Sequence, residues 1–151
     1  MRAIDVAKYF LYKANLEGDL ITNLKMQKLL YYAQAWYLVN FGKTLFDDKI
    51  LAWDLGPVVK SVYDEYREFR HTSIIYEDET GEILKKFTNK EDISFLNEFY
   101  DQFIGFSAHD LVDMSHNEKP WKKANKTFSQ IIDPEDMKIY YTELYKKNNG
   151  K

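Results

Sequence analysis

The stretch from Thr22 to Tyr63 limits the possible folds of this chain more than any other. In it Met26, Leu29, Leu30, Ala33 and Tyr37 recur at helical spacing along one face, while Leu24, Tyr31, Ala35 and Leu38 recur along a second. A helix that is apolar on two faces belongs inside a domain, with other elements packed on both sides. Thr22 is a suitable N-cap and Gly42 a suitable stop, which places its end at Phe41. Only Lys25, Gln27, Lys28 and Gln34 interrupt the apolar surface, so these are the polar groups whose placement needs explaining.

A first helix is expected over Ala3–Glu17, where Ala3, Val6, Ala7, Phe10, Leu11 and Ala14 follow the same spacing and Gly18 ends it. From Lys43 to Leu55 no helical period holds. Leu45, Phe46, Ile50, Leu51 and Trp53 suggest an extended segment with little regular structure, folded back over the end of the second helix. Gly56 and Pro57 then read as the launch of a third helix, with Val58, Val59, Val62, Tyr63 and Tyr66 on its inner face and an end near Phe69. Residues 71–87 predict a short β-hairpin insertion, since Ser73–Tyr76 and Glu82–Lys85 flank the turn-forming run Asp78–Gly81. A fourth helix follows a cap at Thr88 or Asn89, with Ile93, Leu96, Phe99, Tyr100 and Phe103 facing inward. Ser107 with Asp110 resembles a capping box for a short helix through Ser115. Pro120 and Trp121 begin another helical turn, Asp133 and Pro134 begin a last helix to about Lys146, and a tail over 147–151 is expected to fray. The expected fold class is mainly α: a single compact helical domain over residues 1–151, of about five to seven helices, with a small β-hairpin or extended insertion.

A chain of 151 residues can bury roughly 68 to 70% of its unfolded surface, so no covalent staple is needed. Cys is absent, which excludes a disulfide framework and a thiolate metal site. With no basic-then-apolar leader, the expected location is cytoplasmic. No apolar run approaches the ~20 residues that span a bilayer, so no membrane partner is expected. The 21 basic and 24 acidic residues are mixed along the chain, and a net charge of −3 disfavours nucleic acid as a partner. Aromatics make up 17% of the chain, more than a small core usually needs, and part of that excess, chiefly Tyr, reads as contact surface.

His71, His109 and His116 supply all the imidazole. On one continuous helix, His109, Asp113 and His116 would share a face and suit a metal or acid–base site. The helix is expected to be ending at Ser115, which turns His116 away. In the competing reading its ring nitrogens bond helix-terminal carbonyls and fix the turn that delivers Pro120 and Trp121. No Ser lies in a Gly-x-Ser-x-Gly elbow, and no Gly-rich phosphate loop occurs. Asp47, Asp48 and Glu77–Glu79 fall in expected turns, where solvated charge is the ordinary reading. Lys25 and Lys28 beside Tyr32 could hold phosphate and stack a base, or Lys28 could form a buried ion pair with Asp54 or Glu65 that fixes helix register.

Four segments are distinctive as an ordered set: Thr22–Trp36 (TNLKMQKLLYYAQAW), Gly42–Asp47 (GKTLFD), Ala52–Val59 (AWDLGPVV) and His116–Trp121 (HNEKPW). In this order they resemble the Panacea domain family, which includes SocA-like antitoxins and GepA-like phage-associated proteins. The family more often has Thr where Ser115 stands here, and the hydroxyl survives. The resemblance implies the antitoxin half of a two-gene toxin pair, of bacterial, prophage or mobile-element origin. Its implied partners are a cognate toxin protein and, following one SocA-like member, an ATP-dependent protease to which the toxin is delivered. Gly56, Pro57, His116, Pro120 and Trp121 are expected to serve as structural residues of the shared segments.

The expected function is therefore an antitoxin-like protein-binding module that neutralises a toxin by direct contact, with no catalytic residue and no cofactor. The expected contact residues are Lys28, Tyr32, Phe46, Trp53 and Tyr63, aromatic anchors within a polar rim. The alternative is a small metal-dependent enzyme using His109, Asp113 and His116. Regulatory DNA binding is weaker, since no separate helix-turn-helix or basic arm is present.

Overall fold

The computed structural model describes residues 1–149. Two long helices come first, α1 (Ala3–Glu17) and α2 (Asn23–Phe41), and each ends on a left-handed glycine. Thr22 Oγ1 accepts the Lys25 N–H at 3.2 Å and so caps α2. A hairpin follows, β1 (Ile50–Trp53) and β2 (Gly56–Val59), then α3 (Lys60–Tyr66), α4 (Lys90–Phe103), α5 (Ala108–His116), α6 (Lys119–Asn125) and α7 (Pro134–Asn148). The fold is mainly α with one small antiparallel hairpin. Every residue from Met26 to Ala35 is buried. Around α2 pack α1, α3, α4, α5, α7 and β2, which is the surrounding that its two apolar faces require.

The expected caps account for several boundaries. Asn89 Oδ1 accepts the N–H groups of Glu91 and Asp92 at the start of α4, and Ser107 and Asp110 close a reciprocal capping box on α5. Asp133 caps α7, which runs to Asn148, past the expected end at Lys146. Of the tail expected to fray, 150 and 151 lie outside the described residues. No helix among the described residues is long and apolar enough to cross a membrane.

Two expectations are corrected. The hairpin lies at Ile50–Val59, not at 71–87, and pairs Ile50 with Val59, Leu51 with Val58, Ala52 with Pro57 and Trp53 with Gly56. Gly56 and Pro57 therefore belong to a strand, and α3 begins only at Lys60. All four residues of β2 are buried, so period-two alternation is absent and the run mimics the inner face of a helix. Pro57 is tolerated because its nitrogen faces away from β1, where no ladder donor is needed. The outer side of β1 is paired as well: the Ala52 N–H donates to the Gln130 carbonyl at 2.7 Å, and the Ile132 N–H to the Ile50 carbonyl at 2.8 Å.

Residues 71–87 instead bridge once to Thr22 through Ser73 and then form a 3-10 turn over Glu82–Lys86. The Asp78 carboxylate causes this turn. It accepts the Glu82 N–H at 2.7 Å and the Ile83 N–H at 3.0 Å, drawing the chain into a helical curl instead of a paired strand. Asp48 is likewise structural. Its carboxylate accepts the Ala3 N–H at 2.9 Å and the Ser61 hydroxyl at 2.6 Å, joining the start of α1 to α3.

Candidate functional site

The four polar interruptions of α2 share one task, which is to satisfy main-chain groups of the segments wrapped around it. Lys25 Nζ donates to the Ile104 carbonyl at 2.6 Å. Gln34 accepts from the Leu45 and Phe46 N–H groups and donates back to the Phe46 carbonyl, holding the chain after α2 against its side. Gln27 Oε1 accepts the Val59 N–H at 2.9 Å, while Lys28 Nζ donates to the Pro57 carbonyl at 2.9 Å. Together Gln27 and Lys28 replace the neighbouring strand that β2 lacks.

The ion pair expected between Lys28 and Asp54 or Glu65 does not form. Lys28 is fully buried, its partner is a neutral carbonyl, and desolvation lowers its pKa to about 7. Gly56 makes this approach possible. At its φ of +102°, a Cβ would stand 2.8 Å from Lys28 Cε and 2.9 Å from Ser115 Oγ.

A second cluster gathers the buried Tyr31, Tyr32 and Tyr141 around the half-buried Glu118. Its Oε1 accepts the Tyr32 hydroxyl at 2.5 Å and the Tyr141 hydroxyl at 3.0 Å, and the hydroxyls of Tyr141 and Tyr31 lie 2.9 Å apart. Desolvation raises the Glu118 pKa against the opposing pull of the two tyrosine hydrogen bonds. The adjoining Pro120 is buried, and Trp121 Nε1 donates to the Trp53 carbonyl at 2.8 Å, tying α6 to β1.

His116 does not bond the helix-terminal carbonyls as expected. Its ring lies against Trp121 with centroids 4.3 Å apart, and its buried Nε2 has no hydrogen-bond partner. Ser115 bonds the Val112 carbonyl instead, at 2.9 Å. Packing on Trp121 also separates His116 from His109, which pairs at the surface with Asp113 at 3.3 Å. The three-ligand set is thus not assembled. Among the described residues no group of three His, Cys, Asp or Glu side chains is placed to hold a metal ion.

The expected contact residues divide into two groups. Lys28, Tyr32 and Phe46 are at most 1% exposed and lie beneath the surface. Trp53 and Tyr63 are half-buried, packed edge to face at 5.3 Å, and border an open groove of about 610 Å³ between the β1–β2 turn and the end of α3. Asn23 and Gln27 are also among its borders and are satisfied internally: Gln27 donates to Asn23, which donates to the Tyr63 carbonyl. At the rim stand Leu55, 62% exposed on the turn, and Arg67, Arg70 and His71.

The family described as "Antitoxin SocA-like, Panacea domain" matches residues 26–122, which include both clusters apart from Lys25 and Tyr141, and most of the groove. The chain belongs to this family. A curated relative, Antitoxin SocA of Caulobacter vibrioides (strain NA1000 / CB15N), is 43% identical over 58 residues, which cover 38% of this chain. The matched part spans only 31% of that relative's length. No solved structure matches.

In this Panacea domain Trp53 and Tyr63, two of the expected contact residues, border the groove together with Arg67 and Arg70, to which the sequence assigned no role. Glu118 lies within the His116–Trp121 segment, where nothing in the sequence announces a role for it. Arg70 carried no sign at all, because the turn that holds it has no Gly or Pro.

Proposed function

We propose that this protein is an antitoxin that neutralises a cognate toxin by direct protein contact in the cytoplasm. Membership of the Antitoxin SocA-like family carries this reading. The half-buried pair Trp53 and Tyr63, beside the exposed Leu55, supports it physically. Large side chains held rigid at a surface contribute binding area with little further loss of conformational freedom. Lys28, Tyr32 and Phe46 act beneath that surface. Lys28 and Gln27 hold β2, and Trp121 holds the Trp53 carbonyl, so the anchors are positioned before any partner arrives.

The test begins with the neighbouring reading frame, expressed alone and together with this protein. Growth arrest by the frame alone, rescue on co-expression and co-purification of the two products are the expected results. Trp53→Ala and Tyr63→Ala should each weaken rescue, with binding lowered by roughly tenfold or more. Rescue that is insensitive to both substitutions would refute an aromatic-anchored contact. A toxin half-life that shortens only in cells with an active ATP-dependent protease would identify delivery for proteolysis in place of occlusion.

A further inference from the structure

The groove beside Trp53 and Tyr63 has a cationic wall on a protein whose net charge is −3. Arg67 and Arg70 are both exposed. Arg67 makes only a long surface contact with Asp64 at 3.7 Å, and Arg70 has no ion-pair partner among the described residues. Asp54 and the exposed, apolar Leu55 at the hairpin tip also line it, with Leu24, Trp53, Val58 and Tyr63 beside the buried amides of Asn23 and Gln27, which are spent on internal hydrogen bonds. Two exposed arginines, the half-buried aromatic pair and an exposed Leu together match an extended peptide that carries acidic residues next to an apolar side chain.

The backbone supplies an independent observation. Arg70 has φ 53° and ψ −121°, and the Thr72 N–H bonds the Phe69 carbonyl at 3.0 Å. This is the first central position of a type II′ turn, about +60° and −120°, a conformation that Gly adopts freely and a residue with a Cβ does not. The other described non-glycine residue with positive φ, Gln130 at 58°, borders the same groove. Strain of this kind persists where surrounding structure enforces it and collects at binding sites. Here it is borne by a residue whose side chain has no ion-pair partner of its own.

We infer that this groove docks an acidic segment of the toxin, with an apolar residue against Trp53 and Tyr63 and carboxylates facing Arg67 and Arg70. The inference rests on the proposed neutralisation for the identity of the partner as a toxin. It specifies the chemistry of the segment recognised. A nucleic acid would also offer negative charge to the arginines, but Asp54 in the same groove and the acidic balance of the chain oppose a polyanion.

The probe is a displayed library of random twelve-residue peptides, panned on the purified full chain. Recovered peptides should carry Asp or Glu beside Leu, Phe or Trp. Fluorescently labelled synthetic copies should bind Arg67→Glu/Arg70→Glu protein roughly tenfold more weakly, and Lys-for-acid versions should regain binding to that variant. Arg67→Glu alone, away from the strained turn, serves as a second variant. Lys122→Glu, on the separate basic face of α6, should leave binding unchanged. Thermal melts check that each variant is folded. The inference is overturned if no peptide is recovered, if recovered peptides lack acidic residues, if the double variant binds them undiminished, or if a single-stranded oligonucleotide displaces them. Growth rescue keeps the two readings apart. Failure of rescue by the wild type, with peptide selectivity intact, defeats only the antitoxin reading. Full rescue by the double variant defeats only this groove's role in it.

Discussion

Replacing Gly56 by Ala would place a Cβ 2.8 Å from Lys28 Cε and 2.9 Å from Ser115 Oγ, in a backbone conformation that side chains rarely adopt. Lys28 cannot retreat without losing the Pro57 carbonyl, so the substitution should cost about 2–4 kcal/mol, measured by urea denaturation. Arg70 is the opposite case. Arg70→Gly relieves a φ of 53° and removes an exposed side chain, and should raise stability by about 1 kcal/mol while weakening partner binding. A thermal melt and a binding titration on the same preparation check both signs. These two residues differ in how plainly the sequence announces them. Gly56 stands beside Pro57 and marks a special backbone position even though the run that follows has the pattern of a helix face. Arg70 sits among Phe69, His71 and Thr72, none of which signals a turn, because the tertiary setting and not local propensity enforces its conformation.

Among elements, α6 has an influence beyond its length, because Trp121 ties it to β1 through the Trp53 carbonyl at 2.8 Å. Trp121→Phe keeps an aromatic ring beside His116 but removes this hydrogen bond together with part of the indole's packing against the core. The expected loss is about 1–3 kcal/mol of stability, together with weaker binding of whatever engages Trp53. Wild-type affinity in that variant would mean that Trp53 is positioned by its other neighbours. The helices were largely legible in sequence. In α1 and α2 the glycine stops agree with the apolar period, and in α2, α5 and α7 the N-caps fall where the sequence puts them, so local and global preferences coincide. The hairpin was not legible, because β2 is buried on both faces and its free edge is completed by two side chains of a helix. No pattern within β2 could reveal partners that lie some thirty residues earlier in the chain.

At the scale of the whole molecule, the buried ionisable groups make stability depend on pH. The Lys28 pKa falls from 10.5 in the unfolded chain to about 7 in the folded protein. Between these values the unfolded chain keeps a proton that the folded protein has released, so stability rises with pH, by at most about 1.4 kcal/mol per unit. Below about pH 7 both states are protonated and the penalty of burying the charge is fully felt. Glu118 acts with the opposite sign: its folded pKa is raised above 4.5, so its contribution is lost as pH climbs through that raised value. The hydroxyls of Tyr31, Tyr32 and Tyr141 are all pushed above 10.0, so stability should fall again in strongly alkaline solution. Urea midpoints should increase from pH 7 to pH 9, and Lys28→Met should flatten that rise. An equal rise in the Met variant would assign it to another group.

Tyr141 has one more consequence. It comes from α7, beyond the 26–122 segment by which relatives are recognised, yet it completes the hydrogen bonding of Glu118 and Tyr31 within that segment. Likewise α1, which precedes the segment, contributes Val6, Ala7 and Phe10 to the interior. A fragment trimmed to the recognisable window would bare both flanks of its own middle helix and strand a carboxylate among half-paired phenols. The portion that kinship identifies is therefore smaller than the portion that closes this interior, and transplants of this domain should carry both outer helices along.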